Sequence, residues 1–320
     1  MSGRSRLLSL PAGRGICYSG YRAGQSPATR VFPSLEEIRQ DLHLLAPHWQ
    51  LLRLYDCSVH AERVLQVIRQ DGLDLRVLLG AHLGPEISNP ACPWGGIHSE
   101  EALAASRAEN LREVERLGEL ANAYRDSVWA VAVGNEAAVD WSDHRVPVES
   151  LVAHVRRARS LVAQPVTFCE NYVPWQQGLQ ALAAELDFIS LHSYPVWEYR
   201  SIDQALGWTQ ANLASVRAAH PGHPVVITEA GWTTRSNGRG IEPHNASVEL
   251  QLRYLHQLLD WCERDGILSF VFEAFDEPWK GSDDLHEPEK HWGLFTVDRC
   301  PKPAVQHWYP ELLTGPAQAR

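Results

Sequence analysis

Eight short apolar runs, each followed by a polar loop and then a helix-patterned segment, leave this chain few folds to choose from. The runs are GICYS (15–19), LLRLYD (51–56), LRVLLGA (75–81), VWAVAVGNE (128–136), PVTFCEN (165–171), LDFISLHSY (186–194), PVVITEAGW (224–232) and ILSFVFEAF (267–275). Near-continuous apolar runs of this length read as strands buried on both faces, the pattern of a parallel sheet. Between them, SLEEIRQDLHLLA sets Ser34 and Glu37 at capping-box spacing. Segments such as HAERVLQVIRQ, VESLVAHVRRARSLV and NASVELQLRYLHQLLDWCER repeat apolar residues every three or four positions. Only the segment around GLQALAAE, between the fifth and sixth runs, is short. An open doubly wound sheet would carry a glycine-rich phosphate turn after its first strand, and YSGYRAG offers none. Eight parallel strands close instead into a (β/α)8 TIM barrel. The expectation is one such domain over residues 1–320, with its core at 14–313 and tails at 1–13 and 314–320.

The totals narrow the partners. A formal net charge of −10, with basic residues scattered along helices, argues against nucleic acid. No apolar run approaches the roughly 20 residues of a membrane span. The LLSL patch near the N-terminus is shorter than the 7–15 residues of a secretory apolar region. Read literally the chain is cytoplasmic, or extracytoplasmic if a leader has been removed, and a monomer is expected. The six cysteines are dispersed without a CxxC pair, so buried reduced thiols are expected rather than a disulfide framework or a zinc site.

Chemistry in a barrel enzyme sits at the C-terminal ends of the strands. Those ends here carry Tyr18, then Arg53, Tyr55 and Asp56, His82, Asn135 and Glu136, Glu170 and Asn171, His192 and Tyr194, Glu229 and Trp232, then Glu273, Asp276 and Glu277. The opposite ends hold nothing comparable, and Tyr18, Arg53 and His192 at the C-terminal mouth are expected to bind substrate. A carboxylate closing an apolar strand is costly unless it is paired, hydrogen-bonded or at a cavity mouth. Two of them, Glu136 and Glu229, close strands four and seven, which face each other across a closed ring. Glycoside hydrolysis needs such a pair flanking the scissile bond. Glu229 would need donors to stay ionised, and Arg53 and Tyr194 are the candidates. Glu136 would need a carboxyl raised by burial and by Glu229 as a like charge.

VAVGNE and VVITEAGW resemble the paired signatures of glycoside hydrolase family 17, within a clan of retaining (β/α)8 glycosidases. GICYS, LLRLYD, FVFEAFDEPWK and HWGLF extend the resemblance over about residues 15–295. That family includes β-1,3-glucanases and β-1,3-glucanosyltransferases. The resemblance implies that Glu136 is the acid/base and Glu229 the nucleophile, on a β-glucan substrate and with no cofactor. It implies further that Asn135 binds a sugar 2-hydroxyl, that Tyr194 touches the nucleophile and that Tyr55 lies at the floor of the site. Glu277 and Lys280 match cleft-lining positions on strand eight. The loop GAHLGPEISNPACPWGGIHSEE and the strand-six run LHSYPVWEYR, with His192, have no counterpart in that pattern.

Twelve tryptophans add a second signal, since an indole face stacks on a sugar ring. Trp94, Trp141, Trp175, Trp197, Trp232 and Trp279 lie just past strands three to eight and are candidates, Trp197 and Trp232 foremost. Trp49, Trp129, Trp208, Trp261 and Trp308 read as core, and Trp292 as either. Alternatives to a hydrolase are a transglycosylase with the same pair and a carbohydrate-binding barrel without catalysis. A metal-dependent barrel could draw on His82, His192, Glu170, Asp56 and Glu273, but no HxH or HExxH spacing supports it, and no metal is expected.

Overall fold

The computed structural model describes residues 10–313. Eight parallel strands close into a barrel in chain order: β1 (Gly15–Cys17), β2 (Leu51–Arg53), β3 (Arg76–Ala81), β4 (Val128–Asn135), β5 (Val166–Asn171), β6 (Ile189–Ser193), β7 (Val225–Ala230) and β8 (Ser269–Val271). The ring is completed by β1 pairing with β8, Gly15 opposite Phe270. Around it run α1 (Leu35–Leu45), α2 (Val59–Asp71), α3 (Glu100–Ala123), α4 (Val148–Leu161), the short α5 (Tyr172–Gln176) and α6 (Gln180–Ala183), then α7 (Ile202–Ala219) and α8 (Val248–Asp265). This is the (β/α)8 TIM barrel that the alternation of apolar runs predicts. The weakly patterned segment between the fifth and sixth runs becomes two single turns, too short to bury a full helical face.

Local chemistry sets the boundaries. Ser34 and Glu37 form the expected capping box at the start of α1. Gly72 and Gly266 end α2 and α8 in the left-handed conformation, which glycine adopts without a Cβ penalty. The ladders are shorter than the apolar runs, so β6 stops at Ser193 and β4 at Asn135. Tyr194 and Glu136 therefore stand one residue above the last rung.

The 82–99 loop after β3 is tied to the 137–147 loop after β4. Asn89 Nδ2 donates to the carbonyls of Asp140 and Ser142 at 2.7 and 2.8 Å, and Glu86 N to Arg145 O at 3.0 Å. Beneath it the buried Glu86 carboxylate accepts from His154 Nε2 at 2.7 Å and Asn110 Nδ2 at 2.9 Å. The unmatched loop is thus an anchored wall beside β3 and β4.

All six cysteines are free, as expected, although Cys300 is exposed rather than buried. Leu10, assigned to the N-terminal tail, packs against the core, whereas residues 1–9 and 314–320 of the expected tails lie outside the described residues. No helix among the described residues is long and apolar enough to cross a membrane.

Candidate active site

β4 ends in a local distortion that aims its carboxylate. Its pairing with β5 shifts register between Ala132 and Asn135. Gly134 adopts a φ of +95°, and a Cβ there would lie 2.9 Å from the Phe168 ring. Glu136 itself takes a φ of +47°, a left-handed conformation costing roughly 1–3 kcal/mol in a non-glycine residue. Glu136 N is held by Cys169 O at 2.9 Å, and its carboxylate reaches past β5 to His192 on β6, with Nδ1 donating to Oε1 at 2.9 Å. About a quarter of the Glu136 side chain is open to solvent (28%), which leaves a path for a ligand.

Glu229, near the end of β7, is the opposite case: buried, and surrounded by donors. Arg53 Nη1 donates to Oε1, Tyr55 Oη to the same oxygen at 3.0 Å, and Tyr194 Oη to Oε2 at 2.5 Å. Burial would push this carboxyl up, but the charges of His192 and Arg53 and the hydrogen bonds of Tyr194 and Arg53 outweigh it. They hold Glu229 at about 2. Arg53 also reaches Asn135 Oδ1 and lies over the Tyr55 ring. With its amide oxygen taken by Arg53, Asn135 has Nδ2 as its remaining side-chain donor.

Between the two carboxylates stands His192, its side chain fully buried, with Nδ1 2.9 Å from Glu136 and 3.3 Å from Glu229 Oε2. Burial opposes its charge, yet Glu229 and its contacts with Cys169 and Glu136 carry it up to about 10. Glu136, His192 and Glu229 each offer an atom within 4.8 Å of those of the other two, a grouping able to hold a cation. The residues weighed for a metal from the sequence (His82, His192, Glu170, Asp56 and Glu273) form no such group among the described residues.

A second acidic cluster lies beside β8. The Lys280 ammonium pairs with Glu277 and reaches Glu273 Oε2 at 3.2 Å, and it lies over the Phe272 ring, 4.6 Å from its centre. Burial, with Glu277 as a like charge, pushes Glu273 well above the usual carboxylate range, and burial lifts Glu289 to about 7 against the pull of Lys280. Glu289 lies in a 3-10 turn 9 residues beyond Lys280 with no strand-end signal, so nothing in the pattern pointed to it. His144 was also missed: its ring donates to Asn135 O at 2.8 Å, from a loop whose partner in space is the 82–99 segment.

Two expected binding residues belong to the core instead. Tyr18 is 1% exposed; its hydroxyl donates to Asp41 Oδ2 at 3.1 Å and its ring rests on His60 and Phe275. The β1 ladder ends at Cys17, so the alternation carries Tyr18 outward toward α1. Trp232 is also 1% exposed, donating Nε1 to Asn245 O at 2.9 Å and lying against Tyr254. The turn at Gly231 presses so close to β8 that a Cβ would lie 2.2 Å from Phe272 O, and this folds the indole back under the 243–247 segment. Trp175 is core as well, its Nε1 bound to Ser190 O. Trp197 is half-buried beside Trp292, whereas Trp94 and Trp141 are exposed on the two tied loops. Trp279 is half-buried and packs edge-on to Tyr21. Trp292, open either way from sequence, is core and leans edge-on against Tyr194.

Fold and site together define a (β/α)8 enzyme built around two carboxylates, one partly open to solvent and one enclosed by donors. A family model of the BtgE/BtgC glycoside hydrolase domain matches residues 15–293, and the chain belongs to that family of glycoside hydrolases. A glucan 1,3-beta-glucosidase of Schizosaccharomyces pombe is 25% identical over 264 residues, 78% of this chain and 74% of that protein. Among solved structures, a glycoside hydrolase family 17 β-1,3-glucanosyltransferase from Rhizomucor miehei is 26% identical with a TM-score of 0.71, over 91% of this chain and 96% of that one. An endo-laminarinase from Formosa Hel1_33_131 shares the fold with a TM-score of 0.80 at 24% identity, over 95% and 88% of the two chains. The sequence resemblance to family 17 and these comparisons agree.

Proposed function

We propose that this chain cleaves β-1,3-glucan with retention at the anomeric carbon, Glu229 serving as nucleophile and Glu136 as acid/base. The observation that carries the reading is the closeness of the pair, whose oxygens reach within 4.8 Å of each other with His192 beside both. Carboxyl groups about 5–5.5 Å apart suit a covalent glycosyl intermediate, whereas inversion needs roughly 6.5–9.5 Å to admit a water. The linkage is supported by the relatives: the fission yeast protein is named a glucan 1,3-beta-glucosidase and the Rhizomucor protein a β-1,3-glucanosyltransferase.

In the first step Glu229 attacks C1, the bond from C1 to the glycosidic oxygen breaks, and Glu136 gives its proton to the departing oxygen. In the second, Glu136 takes the proton of an incoming hydroxyl, whose oxygen displaces Glu229 from C1. Arg53, Tyr55 and Tyr194 keep Glu229 anionic for the attack. In this reading the Nδ2 of Asn135 binds the sugar 2-hydroxyl. A sugar hydroxyl in place of water gives transfer rather than hydrolysis, a reading that the glucanosyltransferase relative favours.

The test is a product profile on β-1,3-, β-1,4-, β-1,6- and mixed-linked oligosaccharides, with the first-formed anomer read by NMR. The β-anomer from β-1,3-linked substrate is expected, and products longer than the substrate mark transfer. Glu229→Ala should lose at least about 10^3-fold in kcat. A first-formed α-anomer, or full activity in Glu229→Ala, would overturn the mechanism.

A further inference from the structure

His192 was expected to touch substrate, but its side chain has no accessible surface, and besides Cys169 its Nδ1 meets the two carboxylates of the proposed mechanism. Their charges alternate during double displacement. Before the first step Glu229 is the anion and Glu136 holds the proton; in the glycosyl-enzyme Glu229 is a neutral ester and Glu136 the anion. One negative charge thus moves from one carboxylate to the other and back. His192 Nδ1 lies 2.9 Å from the first of these seats and 3.3 Å from the second, within reach of both without moving its ring.

We propose that His192 is a positioning residue whose protonated imidazole is a donor shared by the two carboxylates, its Nδ1–H following the negative charge from Glu229 to Glu136 and back. Arg53 cannot play this part, because its guanidinium is committed to Glu229, Asn135 and the carbonyl of Thr228. Around the imidazole, β2 presents Arg53, β4 Glu136, β5 Cys169 and Glu170, and β7 Glu229. Glu170 is held by the backbone N–H groups of Ala138 and Asn171, and burial together with Glu136 lifts it to about 8, so it adds little negative charge at neutral pH. Cys169 also touches His192, and Arg53 and His192 pull its thiol down against burial, but it keeps one place through the reaction; the negative charge that changes seats beside His192 is that of Glu136 and Glu229. A charge that stays in place while its counter-charge changes seats needs no reorganisation during the reaction, the condition under which fixed polar groups favour a transition state most.

The inference rests on the double-displacement reading, and its two tests separate from that reading. The first needs no turnover: the 15N shifts of His192 in the wild-type enzyme, followed against pH. Both ring nitrogens should carry protons at pH 7, with the midpoint above pH 8. A neutral imidazole at pH 7 overturns the proposal whatever the mechanism of cleavage. The second is the pH profile of kcat/KM for His192→Asn, which keeps a short donor but removes the charge. Loss of a cation whose Nδ1 lies 2.9 and 3.3 Å from the two carboxylates makes each harder to ionise, so both limbs should move up by about one to three pH units. A profile lowered uniformly with its limbs in place means a merely structural role and overturns the proposal. Should His192→Asn fail to fold, the wild-type titration decides alone. Full activity in Glu229→Ala would instead break the parent reading while leaving the charge of His192 measurable.

Discussion

Glu229 on β7 and the Glu273–Glu277–Lys280 group beside β8 are made of the same materials, buried carboxylates with a basic side chain, yet Glu229 is shifted down while Glu273 is shifted up. Glu229 faces Arg53, His192, Tyr55 and Tyr194, and sits at about 2. Three carboxyls crowd one ammonium at the second cluster, where Glu273 is pushed well up and Glu289 to about 7. Burial penalises every one of them; what differs is the number of donors per carboxylate. A carboxyl with several donors is an anion ready to attack, while one of several sharing a cation holds its proton.

The sharpest way to break this contrast is to remove donors from the first cluster. Arg53→Met should lower kcat/KM by about 10^2–10^3-fold, the cost of losing one preorganised donor. Since the cation lowers the Glu229 pKa, its removal should also shift the acid limb to higher pH. Initial rates from pH 3 to pH 8 check this, and an unmoved limb would mean that Arg53 does not set the charge of Glu229.

Removing the cation of the second cluster should act on stability first. Lys280→Met leaves its carboxyls without a counter-ion and should cost about 3 kcal/mol at pH 8. At pH 5 the loss should be smaller, because protonated carboxyls no longer need the ammonium. The wild-type protein should show the same sign. Glu289 and Glu170 are raised to about 7 and 8, so their favourable contribution is complete below pH 4.5 and lost as pH rises through those values. Glu229 runs the other way, contributing above pH 4.5 and losing it as pH falls toward 2. Denaturant melts of both proteins at pH 5 and pH 8 test this; an equal loss at the two values would contradict it.

The smallest effect should come from the rim. Trp197→Ala should raise KM by about tenfold or less with kcat nearly unchanged, the loss of one stacking face of about 0.5–1.5 kcal/mol. Steady-state kinetics on β-1,3-linked oligosaccharides separate the two constants, and a fall confined to kcat would place Trp197 in the chemistry instead.

Much of the site was legible because a parallel barrel gathers strand ends at one mouth. Glu136, Glu229, Asn135, Arg53, Tyr55, His192 and Tyr194 all come from the ends of apolar runs, and all meet. Tyr18 and Trp232 come from the same kind of position and do not. Whether a side chain just past the ladder points into the mouth or back to the helices depends on the next turn. A register shift turns Glu136 inward, while the close approach of Gly231 to β8 turns Trp232 away. Glu289 and His144 reach the site from loops, where no period marks them.

The sequence alone determined the fold and singled out the two carboxylates, because strand period, helix period and strand-end acids are local patterns that survive without coordinates; the family came from the resemblance of VAVGNE and VVITEAGW. Only the tertiary structure decided the ionisation of Glu229. The charge of a buried group is set by the donors and anions around it, and for Glu229 those come from β2 and β6, far from it along the chain. His192 changed most between the two views, from a strand-end residue expected to touch substrate to a buried imidazole between Glu136 and Glu229.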